Sequence, residues 1–327
     1  MIVKQRLTAG AFMLSYGFLI AIVVMVAIFS LYSPNFFSLK NALFILHAAA
    51  PSMILATGVA LVLMTGKIDI SIGSTAYLSV AIGVMLMRGL HVNPILAMLI
   101  ILPIGAFLGA VNGFVVVVLK VNPLIATLGS YFTFRGLALQ VSNSMTISIP
   151  AQLGNIGSLR IGPVFIDILF AAVVLAIFQL IHTRTVFGRH VMAVGNGAEV
   201  AQKVGIPVDR TSFLTFMLAG LMASIGGVLT MFQVSSLSPT LGQGYEFTAI
   251  ALLVIGGVSL FGGEGTIFPG IVLGALALTI IQSGLNFIGA SVFVYPLVRG
   301  GIIFIAMYAD SLKNMRKRQV KVLAEQG

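Results

Sequence analysis

Long apolar stretches alternate in this chain with short breaks of glycine, proline, asparagine and single charges, and that alternation limits the fold more than any one motif. A helix that crosses a membrane needs about 20 apolar residues, and by that measure about ten runs qualify. They cover residues 11–31, 43–65, 72–87, 94–119 and 124–139, a sixth ending near 181, then 212–232, 247–261, 267–288 and 292–308. Breaks fall at Tyr32-Ser33-Pro34-Asn35, Gly66-Lys67-Ile68-Asp69 and Lys120-Val121-Asn122-Pro123, and residues 142–163 form a polar loop. Charged residues make up only 8% of the chain and hydrophobic ones 59%, whereas soluble domains are roughly a quarter charged. The expected fold is an all-α polytopic membrane protein with some spans broken, built as one transmembrane domain over 1–327.

Lysine and arginine orient such a chain, because cytoplasmic loops retain an excess of them. With the N-terminus inside, an even number of spans places Lys67, Lys120, the loop 184–210 and the tail 311–327 in the cytoplasm. That tail carries Lys313, Arg316, Lys317, Arg318 and Lys321, and only Lys40, Arg88 and Arg160 remain for the outside. Both termini are therefore expected to be cytoplasmic. The basic front MIVKQRLTAG precedes a long run without a small-residue cleavage site, so an uncleaved first span is expected.

Several function classes are excluded. The net charge of +10 comes from residues at span ends and in the tail, not from an exposed basic domain, which argues against nucleic-acid binding. No cysteine is present for a disulfide or thiolate metal site. No histidine–carboxylate group has metal-ligand spacing, and no nucleophile stands with a base, so neither a metal nor a catalytic residue is assigned. There is no G-x-x-x-x-G-K-[ST] phosphate loop. If such a chain moves a solute, the energy must come from a partner ATPase or from an ion gradient. Ion-coupled carriers bury carboxylates within their helices. Here Asp69, Asp167, Glu246 and Glu264 fall at expected ends or breaks, which favours the ATPase.

The loop 184–210 is the one long polar segment between the two ends. Asn196 is placed to cap a helix, Glu199 follows at capping-box spacing, Gly205 can close the helix and Pro207 comes next. The expected helix covers 197–204, with Val200, Ala201 and Val204 on one side and Glu199, Gln202 and Lys203 on the other. So short a helix is marginal alone and needs a surface to dock on. An ordinary cytoplasmic loop is the plainer reading of the same residues.

Within the spans, Gly105, Gly109 and Gly113 recur every fourth residue, Gly270 and Gly274 repeat that spacing, and Ala223 and Gly227 imitate it. Small residues at this spacing let helix backbones approach, and packing within the chain is the expected use. Residues 60–74 and 251–266 both run from an apolar helix into a glycine-rich break. Paired interruptions of this kind point to a transport pathway. Asn112, Thr127, Tyr131, Gln282 and Asn286 are the in-span polar side chains chosen as pathway candidates, with cross-helix bonding as the alternative for each. Asp69 or Ser71 is expected to cap the third span. Arg135 lies where it can snorkel, and Arg299 needs a carboxylate or backbone carbonyls, with Glu264 and Asp69 as candidates. His47 and His182 read as packed or interfacial.

Three motifs resemble those of the permease subunits of bacterial ABC importers for monosaccharides, the ribose, xylose and galactose type. The family's GGIDLSVG stands here as Gly66-Lys67-Ile68-Asp69-Ile70-Ser71-Ile72-Gly73, with Lys67 in place of the second glycine. Pro123, Thr127, Leu128, Gly129, Arg135 and Gly136 match a second pattern. Thr185, Gly188, Arg189, Ala193, Gly195, Ala198, Ala201, Gly205 and Ile206 match a third, cytoplasmic one. The resemblance spans residues 43–310. It implies a pore shared with a second permease subunit, identical or related, and a periplasmic sugar-binding protein that delivers cargo. It further implies a cytoplasmic ATPase pair, holding the ATP and magnesium that this chain does not bind, gripping a coupling helix near 196–204. Gly188, Arg189, Asn196, Ala198, Glu199, Ala201 and Gly205 are then the coupling residues, and Gly66, Asp69, Ser71 and Gly73 the helix-break motif. A related permease for branched-chain amino acids, nucleosides or polyols, and an ion-coupled carrier, remain as alternatives.

Overall fold

The structure is a computed structural model that describes residues 22–291, 293–305, 307, 308 and 311. The basic N-terminal front, the start of the first run and the tail cations lie outside the described residues. Helix α1 covers Ile22–Tyr32. It is followed by α2 (Leu39–Met64), α3 (Ile72–Gly89), α4 (Pro94–Gly113, continued by a π-helical turn Phe114–Val118) and α5 (Pro123–Val141). After the short α6 (Ala151–Gly154) come α7 (Ile166–Arg184), α8 (Val186–Asn196), α9 (Ala198–Lys203) and α10 (Val208–Val234). The last helices are α11 (Tyr245–Ile255), α12 (Gly270–Phe287) and α13 (Val294–Ile305).

Six of these helices are long and apolar enough to cross a membrane: α2, α3, α4 with its π turn, α7, α10 and α12. The protein is an all-α membrane protein. Among the described residues the strands form two antiparallel pairs, each strand of two residues: β1 (Ile147–Ser148) with β4 (Ser236–Leu237), and β2 (Arg160–Ile161) with β3 (Val164–Phe165). The polar loop expected at 142–163 is thus partly ordered. Pro94 and Pro123 each stand first in their helices, behind Asn93 and Asn122, whose side chains accept from the Ile95 and Leu124 amides.

Helix α2 runs through the middle of the bundle and is buried from Met53 to its end at Met64, as is the Thr65 that follows. Against it and α4 lies α10, and the expected small-residue packing is found inside the chain. A Cβ on Gly220 would lie 2.1 Å from the Gly105 carbonyl oxygen, and one on Gly109 would lie 2.3 Å from that of Phe216. Gly274 likewise presses on Leu252 of α11.

One expected span is corrected. In place of a helix over 247–261, α11 has 11 residues and stops at Ile255. At 1.5 Å per residue it extends only about 16 Å, roughly half of a 30 Å hydrocarbon core. Irregular backbone follows to Pro269; Val258, Ser259, Gly263 and Ile267 are buried in it, while Phe261 and Phe268 stand exposed.

Candidate functional site

Two places gather the residues singled out by the sequence. The first is the end of the bundle that carries α8 and α9. Thr185 opens α8, its Oγ1 accepting from the Gly188 amide at 3.2 Å, and Gly188 lies so close to the His182 carbonyl that no side chain fits. Gly188, Val191 and Val194 turn inward, while Arg189 is exposed. At the other end of α8, a Cβ on Gly195 would lie 1.9 Å from the Met64 carbonyl and 2.4 Å from the Gly263 amide nitrogen. Gly263 N–H donates to Met64 O at 3.0 Å, and Gly262 packs on the backbone of Gly66. The two glycine-rich interruptions, one after α2 and one after α11, therefore meet each other and the base of α8 in one knot of backbone. Gln179 of α7 also holds the second break, accepting from the Phe268 amide at 2.9 Å.

The short helix beyond the knot differs from expectation in its start. Helix α8 runs on through Asn196, so the cap position of α9 falls on Gly197, and no side chain caps it. Asn196 instead donates to the carbonyls of Met192 (2.9 Å) and Gly263 (3.2 Å), which ties the helix pair to the knot. Its amide is used there, and the capping box with Glu199 does not form. The end is as expected. Gly205, at φ +84°, lets its own amide reach Gln202 O (3.0 Å) while Ile206 N–H reaches Ala201 O (3.0 Å). Ala201 is buried, but Ala198, Glu199, Val200 and Val204 are exposed, so the apolar side is split and two valines face outward.

The first break closes α2 by the same device. Gly66, at φ +74°, donates to Leu63 O (2.8 Å) and Lys67 to Val62 O (3.3 Å). Lys67 follows the glycine and is not itself at positive φ, so a side chain is accommodated there without backbone strain. Its ammonium donates to Ser212 Oγ at 3.0 Å. Asp69 is buried and accepts from the Ser71 amide (2.8 Å) and hydroxyl (2.7 Å), closing the turn that leads into α3. Gly73 then touches Gly242, in the loop before α11, with the buried Glu246 beside it.

The structure does not gather the five pathway candidates into one lining. Asn112 and Thr127 are fully buried. Asn112 Nδ2 donates to Ser71 Oγ at 2.6 Å, and Thr127 Oγ1 donates to Pro123 O (2.8 Å) and accepts from the Ile70 amide (3.2 Å). Both fasten the first break. Thr127→Val leaves the Ile70 amide without its acceptor, so a loss of about 1–3 kcal/mol is expected, read as a lower Tm in detergent. Tyr131 is half-buried on α5, in edge contact with Phe132.

Gln282 alone faces an open volume. It lines a cavity of ≈240 Å3 between α2, α11, α12 and α13, together with Ser52, Gln243, Tyr245, Thr248, Tyr295 and Arg299. Asn286 stands next to it and accepts from the Tyr295 hydroxyl. Arg299 finds neutral acceptors in place of the expected Glu264 or Asp69, donating through Nη1 to Thr248 Oγ1 (2.7 Å) and Gly244 O (3.4 Å). Arg135 does not snorkel. It donates to Leu241 O (2.6 Å) and Pro239 O (2.5 Å) in the same loop and lies over the Tyr77 ring at 4.7 Å. His47 packs within the bundle, 2.7 Å from Asp167 and stacked on Phe165, and His182 is buried. Gln243, Thr248 and the pair Gly262-Gly263 are the site residues that sequence reasoning missed, although the paired interruptions had marked the last two.

Residues 41–307 match the family described as "Branched-chain amino acid transport system / permease component". The chain belongs to this permease family. The ribose import permease protein of Escherichia coli is 35% identical over 320 residues, covering 95% of this chain and 98% of that protein. A probable ABC transporter permease of Sinorhizobium fredii is 39% identical over 305 residues, covering 92% and 90%. The galactose/methyl galactoside import permease of Salmonella typhimurium is 32% identical over 324 residues, covering 92% and 95%. No solved structure matches. The family's members are transport components, and this permease is a transport subunit and not an enzyme.

Proposed function

We propose that this permease is the membrane subunit of an ATP-binding-cassette importer that moves a monosaccharide of the pentose or hexose class across a bacterial inner membrane. A periplasmic binding protein delivers the sugar, a second permease subunit completes the pore, and a cytoplasmic ATPase pair supplies the energy. ATP and magnesium belong to that ATPase. The chain is one permease domain of about ten membrane segments, with the half-length α11 and the break behind it counted as one of them, and both termini, the loop 184–210 and the basic tail 311–327 lie in the cytoplasm.

The cargo is inferred from the ribose and galactose permeases to which the chain is similar end to end. Because the family description names branched-chain amino acids, those are the second cargo to test. The observation that carries the mechanism is the knot at Gly195, Met64 and Gly263. A push or pull on α9, transmitted through α8, reaches both helix breaks at once without crossing a flexible linker. A two-state cycle follows: closure of the ATPase pair shifts the short helix, and the breaks of α2–α3 and α11–α12 shift with it. Gly188, Arg189, Asn196, Ala198, Glu199, Ala201 and Gly205 form the lever. Gly66, Asp69, Ser71 and Gly73 are part of what it moves.

The test is uptake by vesicles holding the permease, its ATPase and its binding protein. Combining Glu199→Lys with Gly205→Val reverses an exposed charge and forces a branched side chain to positive φ. Uptake is expected to fall about tenfold, equivalent to some 1.4 kcal/mol, with the chain still in the membrane. Wild-type uptake by that variant would remove the coupling role from α9.

A further inference from the structure

A sugar moving through a low-dielectric path needs amides, hydroxyls and an apolar or aromatic face for its C–H groups. The cavity beside Gln282 supplies all three. Its amides are Gln243 and Gln282, and its rings are Tyr245 and Tyr295; of its hydroxyls, Ser52 and Thr248, the second already donates to Gly244 O (2.9 Å) and accepts from Arg299 (2.7 Å), so it positions the guanidinium. Such a polar lining between apolar helices has a cost in lipid, and intramembrane ionisable groups mark pathways. At ≈240 Å3 the cavity is below the roughly 300 Å3 at which pockets for drug-sized ligands begin, a size suited to one sugar ring.

Arg299 lines the cavity, but Nη1 is already engaged by Thr248 and Gly244, and the buried Glu246 carboxyl is within electrostatic range of both Arg135 and Arg299. The Nε and Nη2 edge of Arg299 is still able to pair with one carboxylate, so the leucine arm of the experiment below decides between a carboxylate cargo and a neutral one. The remaining Arg299 N–H groups suit single hydrogen bonds to hydroxyls. Gln282 lines the cavity and makes no side-chain hydrogen bond among the described residues, so its donor and acceptor are both available to a ligand. The position fits transit as well. Thr248 lies on the half-length α11, whose far end leads into the break that reaches the knot, so a shift at the knot is felt at the wall of the cavity.

We infer that this cavity is a transient station for a neutral polyhydroxylated solute, in which Gln282 and Arg299, the latter positioned by Thr248, set the preference for hydroxyl-bearing cargo. This rests on the sugar-import reading above. Weak binding suits a station that must release what it receives, since the binding protein carries the affinity.

The experiment compares Gln282→Leu, Gln282→Asn and Thr248→Val with wild type in vesicles that contain the ATPase and the binding protein. Radiolabelled ribose and galactose are the probes, with leucine as the contrast. Gln282→Leu and Thr248→Val are expected to lower sugar uptake about tenfold, the scale of a lost hydrogen bond or two. ATP hydrolysis stimulated by loaded binding protein stays at its wild-type rate, a readout that a misfolded chain would lose. Gln282→Asn keeps the amide and recovers part of the uptake. Sugar uptake within twofold of wild type in both apolar variants, or a loss of stimulated ATP hydrolysis in step with uptake, overturns the station while leaving the sugar importer standing. A wild-type assembly that moves neither sugar, or that moves only leucine, overturns the import reading and the station with it.

Discussion

In a Gly195→Val permease, ATP-driven uptake is expected to fall at least about a hundredfold, equivalent to some 2.7 kcal/mol, while the chain still enters the membrane and α9 still meets its partner. The first side-chain carbon at this position falls 1.9 Å from the Met64 carbonyl and 2.4 Å from the Gly263 nitrogen. Both neighbours are backbone, so neither can swing aside as a side-chain tip would. The wedge must part α8 from the end of α2 or from the α11–α12 break, which removes the rigid joint that the proposed cycle uses. Uptake and co-purification of the ATPase, measured on the same membranes, separate a broken joint from a lost partner. Near-normal uptake would mean that the knot transmits nothing.

A second large effect is expected in the body of the bundle. Gly220→Leu puts side-chain atoms where α10 and α4 meet, 2.1 Å from Gly105 O and 2.8 Å from the nitrogen and Cα of Gly109. The helices cannot both keep their place. A loss of about 3 kcal/mol is expected, the upper end of overpacking costs, and it would be read as a large fall in Tm or as failure to recover folded protein. Gly129→Leu is the matched control. That glycine has nothing within 4 Å of its absent Cβ, so a change of no more than about 0.5 kcal/mol is expected. Equal losses in the two variants would remove the assignment of α4–α10 as the tight seam.

Those two glycines also show how far the sequence could be read. Gly105, Gly109 and Gly113 announce close packing by spacing alone, but spacing does not say whether the partner is α10 or another chain, and Gly220 lies outside any such series. Apolar length located the helices from α2 onward, and Gly-x-x polar interruptions located both breaks. Length misjudged α11, because Gly256, Gly257 and Val258 keep the run apolar on average while their backbone leaves the helix. The lever was legible at its end, where Gly205 and Pro207 are local signals, and misread at its start. Asn196 has the chemistry of a cap, yet its amide is taken by Gly263, 67 residues away. The same limit explains Asn112 and Thr127. A polar side chain in a span either faces a path or fastens another segment, and only the fold brings Ser71 and Ile70 against them.

The central claim, that α9 is a cytoplasmic lever gripped by an ATPase, can be tested at Val204, which is 71% exposed on the short helix. The chain has no cysteine, so Val204→Cys introduces a single thiol for a maleimide that cannot cross membranes. The account predicts labelling from the cytoplasmic face alone, and protection when the ATPase is bound. Labelling from the periplasmic face, or labelling that the ATPase leaves unchanged, would contradict it.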